Sequence, residues 1–180
     1  MIIRELRWSD LHDLTESYYR LYDERADGVP IGITLFARRP NHADQAVWFS
    51  GLYRRVLSGE TVCRIAEEDG HAIGNCTVQR VAPSDDSETA HVGELGILVH
   101  RDFRGRGAGA RLLQETLDAC RGRFDLVRLS VFTINTRAIA LYRRFGFETV
   151  GRLPAAVKRE GRYYDEDLMV IDLRPGAAKG

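Results

Sequence analysis

The chain has 180 residues, 44% of them hydrophobic, which is enough to bury a core without disulfides or structural metal. Its 26 basic and 26 acidic side chains cancel, so no global field draws it to nucleic acid or to an anionic membrane surface. Cys63, Cys76 and Cys120 stand at spacings that suit no metal site, and no apolar stretch is long enough for a signal peptide or membrane span; buried free thiols in a cytoplasmic protein are expected.

Residues 2–7 read as a strand. Ser9 is expected to cap a helix carrying Leu11, Leu14, Tyr18 and Leu21 on one face, which the turn signal Asp27-Gly28 should end. A loop through Pro30 and Pro40 leads to a second helix over residues 43–57. Its stripe of Trp48, Leu52 and Val56, with Phe49 and Tyr53 beside it, is expected in the core. Residues 61–67 and 71–81 read as two strands of a hairpin turning at Asp69-Gly70, since both residues tolerate positive φ. The polar segment 82–89 is a loop.

Residues 90–99 then form an apolar strand, and 107–123 a helix burying Ala110, Leu113, Leu117 and Cys120. A strand over 126–132, a short helix over 135–145 and strands over 148–153 and 163–173 complete the order. No repeat, low-complexity tract or linker interrupts it, so residues 1–180 are expected to form one domain.

The densest chemical signal lies where the strand ending Ile97-Leu98-Val99 runs into Arg104-Gly105-Arg106-Gly107-Ala108-Gly109-Ala110 and a helix. Glycines let the backbone turn tightly and approach a ligand, and the unpaired N–H groups of a helix start converge on an anion, with phosphate or pyrophosphate the natural guest. A P-loop would need Lys and then Ser or Thr after its last glycine, but Gly109 is followed by Ala110 and Arg111. A dinucleotide fold would need a third glycine where Leu112 stands, and an acid at the end of the next strand, which instead closes on Val131, Phe132 and Thr133.

Arg104, Gly107 and Gly109 spell R-x-x-G-x-G. Downstream, Asn135, Ala138, Tyr142, Gly146 and Phe147 spell N-x-x-A-x-x-x-Y-x-x-x-G-F. These two ordered motifs resemble the acyl-CoA-binding motif and the following block of the GNAT N-acetyltransferase superfamily. The match is dense over residues 90–151 and rests on element order elsewhere. The resemblance implies an α/β (α+β) fold, in which a mixed, mostly antiparallel twisted sheet of about seven strands carries helices on both faces. The sheet would splay between the strands 90–99 and 126–132, and acetyl-CoA, the co-substrate, would lie in the splay.

Acyl transfer to an amine needs a proton acceptor for the amine, a donor for the oxyanion and a proton for the leaving thiolate. The resemblance assigns the last to Tyr142, which shares a helical face with Asn135; a core tyrosine beside Phe145 and Phe147 is the alternative. Backbone N–H groups from Arg104 through Gly105, Arg106, Gly107, Ala108 and Gly109 to Ala110 would hold the pyrophosphate, with the two arginines adding charge or simply lying in solvent. Ile97 and Val99 would pair with the pantetheine arm, an N–H near Leu98 would serve the oxyanion, and Asn135 would bond the pantetheine, cap its own helix, or do both.

Glu94 is the base candidate, with a salt-bridged strand residue as the alternative and a water chain as a substitute. Asp165 and Glu166 lie in a segment resembling the substrate-side final hairpin of several relatives, where Tyr163, Tyr164 and Asp165 would line the acceptor pocket or form an ordinary polar strand face. No cysteine sits where a covalent acetyl-enzyme is expected, so direct attack in a ternary complex is preferred to ping-pong transfer. An amino acid or other small amine is the first choice of acceptor, and a protein N-terminus or lysine the second. Neither metal, nucleic acid nor membrane is implied, and a homodimer is compatible because many relatives are dimers. A non-catalytic acyl-CoA-binding regulatory module is the alternative of another class.

Overall fold

Strand β2 (Thr61–Glu68) shows how the molecule is layered. Successive strand residues point to opposite faces, and here both faces are covered: Val62 and Ala66 belong to one buried cluster, Cys63 and Ile65 to the other. The computed structural model describes residues 1–27 and 32–176. Its other elements are β1 (Ile2–Glu5), α1 (Leu11–Ala26), α2 (His42–Leu57), β3 (His71–Arg80), β4 (Val92–Val99), α3 (Ala108–Cys120), β5 (Leu126–Phe132), α4 (Thr136–Arg144), β6 (Glu148–Arg159) and β7 (Arg162–Asp172). The strands form one sheet in the order β1-β2-β3-β4-β5-β7-β6, antiparallel throughout except for the pair β4–β5.

α1 and α2 cover one face through Leu14, Phe49 and Leu52. α3 and α4 cover the other through Leu112, Leu113, Leu117, Ile139 and Tyr142. The expected hairpin forms between β2 and β3, with Asp69 at φ 51° and Gly70 at φ 82°. All three cysteines are free and buried.

Four local expectations need correction. Ser9 does not cap α1: it lies in a 3-10 turn, Trp8–Asp10, and Asp10 binds the chain start instead, accepting from the Arg7 N–H at 2.8 Å while pairing with Arg4 at 2.7 Å. Trp48 is not in the core, being 46% exposed, because Gln45, Phe49 and Leu52 form the inner face of α2 and Trp8 packs edge-on against Phe49 and Tyr53. Ala110 is only half-buried on α3, whose inner face starts at Ala108 and continues through Leu112. β6 runs well past residue 153, since the stretch that Pro154 marks as a break is a bulge, with Ala155 at φ 52° and a register shift between Leu153 and Val157. The end expected for α1 at Asp27-Gly28 falls partly outside the described residues; the helix stops at Ala26, with Asp27 as its C-cap.

Candidate active site

The site begins where the parallel pair β4–β5 comes apart. β4 and β5 are in register at Val92 with Leu126, Gly93 with Val127 and Glu94 with Arg128, and diverge beyond. β4 stays paired with β3 as far as Val99, so one of its edges is bound and the other open.

The direction of the main chain along that edge follows from alternation. The His100 N–H donates to the Ile73 carbonyl at 2.8 Å, and the Leu98 carbonyl lies 2.7 Å from where a Cβ on Gly74 would stand, so these residues point their main chain toward β3. Leu95, Ile97 and Val99 therefore present theirs to the splay. The N–H donor expected near Leu98 is therefore that of a neighbour such as Ile97, and Leu98 contributes its side chain to the cleft.

The glycine-rich turn takes the shape its composition allows. Gly105 and Gly107 have φ of 85° and 87°, and Gly107 is the N-cap of α3. No side chain caps this helix and no acid occupies its first turn; its first internal bond runs from the Arg111 N–H to the Gly107 carbonyl at 3.1 Å. The N–H groups of Ala108, Gly109 and Ala110 thus face outward at the positive end of the helix dipole.

The arginines divide their work. Arg104 donates Nε to the Val99 carbonyl at 2.9 Å and both terminal nitrogens to the buried carboxylate of Glu24, at 2.6 and 3.0 Å. Its charge is thereby committed to the fold rather than to the mouth of the turn. Arg106 is exposed, its guanidinium 5.3 Å from the centre of the Phe103 ring. Arg137 on α4 reaches to 3.0 Å from where a Cβ on Gly105 would be, so it supplies a cation over the turn that the sequence reading missed. The available signal was its place two residues after Asn135, on the open side of the first helical turn.

Asn135 caps α4, accepting from the Ala138 N–H at 3.2 Å. Its amide nitrogen faces Gly32 so closely that a Cβ there would lie 2.0 Å away, so Gly32 is needed for the 32–34 segment to settle over the splay. Arg159 holds the same segment by donating to the Ile33 carbonyl at 2.7 Å.

Within the splay lies a cleft of about 300 Å³ whose walls include Leu98, Ser130, Tyr142 and Glu166. Tyr142 is 7% exposed, and burial pushes its phenol above its ordinary value, with the Cys76 thiol adding to the shift. The ring packs 5.7 Å from Phe147, so the core-tyrosine alternative and the cleft position both describe it. Its hydroxyl makes no hydrogen bond among the described residues.

The carboxylates are arranged differently from expectation. Glu94 is 56% exposed and pairs with its cross-strand neighbour Arg128 at 2.9 Å; it lines an adjoining hollow with Gln79 and Arg80, so the enclosure expected for a base is missing. Asp165 is turned away from the cleft, accepting from the Ala155 N–H at the β6 bulge at 2.9 Å. Tyr163 is 62% exposed on the β6–β7 hairpin, beside Lys158, and Tyr164 packs edge-on to Phe132 at 6.0 Å; neither lines the cleft. Strand alternation brings Glu166 in where Asp165 points out, and the Glu166 carboxylate makes no hydrogen bond or ion pair among the described residues. No group of His, Cys, Asp and Glu suited to a metal occurs among the described residues, and no described helix is long and apolar enough to cross a membrane.

A sheet opened between two parallel strands, with an uncapped helix start at one end of the opening and a buried tyrosine within it, defines an acyl-CoA-dependent transferase architecture. The model of the Acetyltransferase (GNAT) family matches residues 3–147, and the chain belongs to that family of acetyltransferases. It is 31% identical over 130 residues to the L-amino acid N-acetyltransferase AaaT of Escherichia coli, covering 71% of this chain and 76% of that protein. Among solved structures, the ribosomal-protein-alanine N-acetyltransferase of Brucella melitensis superposes with a TM-score of 0.81 at 25% identity, over 96% of this chain and 100% of that one. The structure of yncA from Salmonella typhimurium with its cofactor acetyl-CoA has the same fold, with a TM-score of 0.81 at 23% identity over 99% and 96% of the two chains.

Proposed function

We propose that residues 1–180 form one N-acetyltransferase domain that moves an acetyl group from acetyl-CoA to a primary amine by direct attack in a ternary complex, with an amino acid or related small amine as acceptor. The observation that carries this reading is the buried Tyr142 in a cleft bounded by the open edge of β4. Acetyl-CoA would bring the thioester acyl group, and the charge of its pyrophosphate suits the uncapped helix start and the arginines beside it.

Outward N–H groups of Ala108, Gly109 and Ala110 in the turn that Gly105 and Gly107 shape, with Arg106 and Arg137, suit the pyrophosphate. Main-chain groups of Ile97 and Val99 suit the pantetheine amides, although the Val99 carbonyl already accepts from Arg104. Asn135, with its oxygen used in the helix cap and its amide nitrogen against Gly32, borders the path of the same arm. The Leu95 and Ile97 N–H groups, aimed into the splay, are placed to stabilise negative charge on the acyl oxygen. Tyr142 is a neutral phenol at pH 7 as any tyrosine is, burial disfavours its phenolate further, and its proton is placed for the departing sulfur.

For the amine's proton, Glu166 is the better placed carboxylate, since it lines the cleft unpaired while Glu94 is engaged by Arg128 outside it. The similarity to an L-amino acid N-acetyltransferase supports the choice of acceptor. Release of CoA thiol that depends on added amine tests the reading: release with an amino acid or small amine is expected, and acetyl-CoA binding without release for any amine would replace it with a non-catalytic binding module.

A further inference from the structure

Beside the cleft lies a second, larger hollow of about 700 Å³, enclosed by α1, the 36–40 loop and the outer face of α2. Tyr18, Phe36, Pro40, Val47 and Trp48 form its walls. Phe36, Val47 and Trp48 are 70%, 74% and 46% exposed, so three large apolar side chains surround a concavity without being packed into the core. Apolar surface gathered in this way marks a binding site more often than a bare surface.

The hollow is built rather than incidental. Tyr22 stacks edge-on to Tyr18 at 5.7 Å and donates its hydroxyl to the carbonyls of Phe36 and Arg38, at 3.3 and 3.4 Å, which pins the loop over the pocket. Arg38 and Asp44 also line it, but they pair with each other at 3.7 Å and leave no uncompensated charge for an ionic partner. Tyr18 and Trp48 line both this hollow and the cleft containing Tyr142 and Glu166, so the two spaces run into each other.

We propose that this hollow receives the body of the acceptor, and that the acceptor class is therefore primary amines bearing a bulky aromatic or aliphatic group. The inference rests on the acetyl-transfer reading above. An amine whose nitrogen reaches Tyr142 and Glu166 has its remainder directed past Tyr18 and Trp48 into a neutral apolar space. Polyamines and acidic amines would have to strip water from their charges there and compete with the existing Arg38–Asp44 pair for a partner.

The test is thiol release from acetyl-CoA with amines matched in their reacting group and differing in their body: glycinamide, leucinamide, phenylalaninamide and spermidine. Phenylalaninamide is expected to exceed glycinamide and spermidine in kcat/KM by at least ~10-fold, from the apolar surface it buries. Trp48→Ala should compress the phenylalaninamide-to-glycinamide ratio by about tenfold, mainly through KM. Val47→Arg, at a more exposed wall position, should compress it as well without asking the core to adjust. Equal kcat/KM across the series, a preference for spermidine, or an unchanged ratio accompanied by altered sedimentation of the Trp48 variant would overturn the pocket assignment; the last result would make this face a contact between copies. Absence of release from every amine despite acetyl-CoA binding would overturn the acetyl-transfer reading itself.

Discussion

Glu24, buried on α1, grips both terminal nitrogens of Arg104, the first residue of the glycine-rich turn, at 2.6 and 3.0 Å. Because Arg104 also holds the Val99 carbonyl, this one ion pair ties the helix on one face of the sheet to the end of β4 and to the start of the anion cradle on the other side. The motif arginine is thus a structural member whose charge is neutralised from within.

That pair gives an asymmetric prediction. Arg104→Ala strands a buried carboxylate and should cost about 3–5 kcal/mol, whereas Glu24→Ala leaves a partly exposed guanidinium that can reach water and should cost roughly half as much. Thermal unfolding of both variants measures this, with a drop of ~2–4 °C expected per kcal/mol for a chain of this size. If Arg104→Ala unfolds at the wild-type temperature and loses only acetyl-CoA affinity, Arg104 is a phosphate ligand and not a tie.

Replacing Tyr142 by Phe should lower kcat by about 10²–10⁴-fold, the usual worth of a positioned acid, and leave the acetyl-CoA Kd within about twofold. Desolvation raises the phenol above its ordinary 10.0, so the protonated acid persists as pH rises and the wild-type kcat should show no alkaline decline attributable to Tyr142 below about pH 10. Steady-state rates across pH, paired with direct binding, decide the matter. An alkaline limb near pH 8 that disappears in the Phe variant would mean that the phenol is not desolvated in the working enzyme.

The two carboxylates separate cleanly by substitution. Glu166→Gln should depress kcat by about 10²-fold or more, whereas Glu94→Gln only breaks an exposed pair worth about 0–1 kcal/mol and should change kcat less than threefold. The reverse ranking would restore Glu94 as the proton acceptor, acting through water from the neighbouring hollow.

Much of this arrangement was legible in the sequence, for reasons that can be named. The β2–β3 hairpin follows from Asp69-Gly70, β5 from a mostly apolar run interrupted by Arg128 and Ser130, and the cradle from glycines at alternate positions ahead of an amphipathic helix. What was illegible depends on tertiary partners. Glu94 reads as a candidate base until Arg128 arrives beside it from another strand, and Arg104 reads as a phosphate ligand until Glu24 arrives from the other end of the chain. Asp165 and Glu166 differ only in strand phase, which the bulge at Ala155 and the pairing with β5 decide. Trp48 and Phe49 are adjacent on α2, and a rotation of about 100° exchanges core for pocket.

The three thiols offer a check on the core that does not depend on acceptor identity. Burial pushes Cys63 and Cys120 up to about 12, and raises Cys76 further despite the opposing influence of the nearby Thr116 hydroxyl. The native protein should therefore react negligibly with a thiol-specific chromogenic disulfide at pH 8 and release three equivalents only in denaturant. Fast labelling of one thiol in the native state would show that the sheet opens locally around it.

The most direct test of the central claim is calorimetric titration of acetyl-CoA into the wild type and into Ala110→Asp. An acid in the first turn favours the α3 dipole, so the variant should unfold no earlier than the wild type, yet it sets a carboxylate where the pyrophosphate would dock. One-site binding to the wild type, weakened at least ~10-fold in the variant at unchanged stability, is the predicted result. No binding to the wild type, or equal binding to both proteins, would contradict the assignment of this cradle and the transfer reaction built upon it.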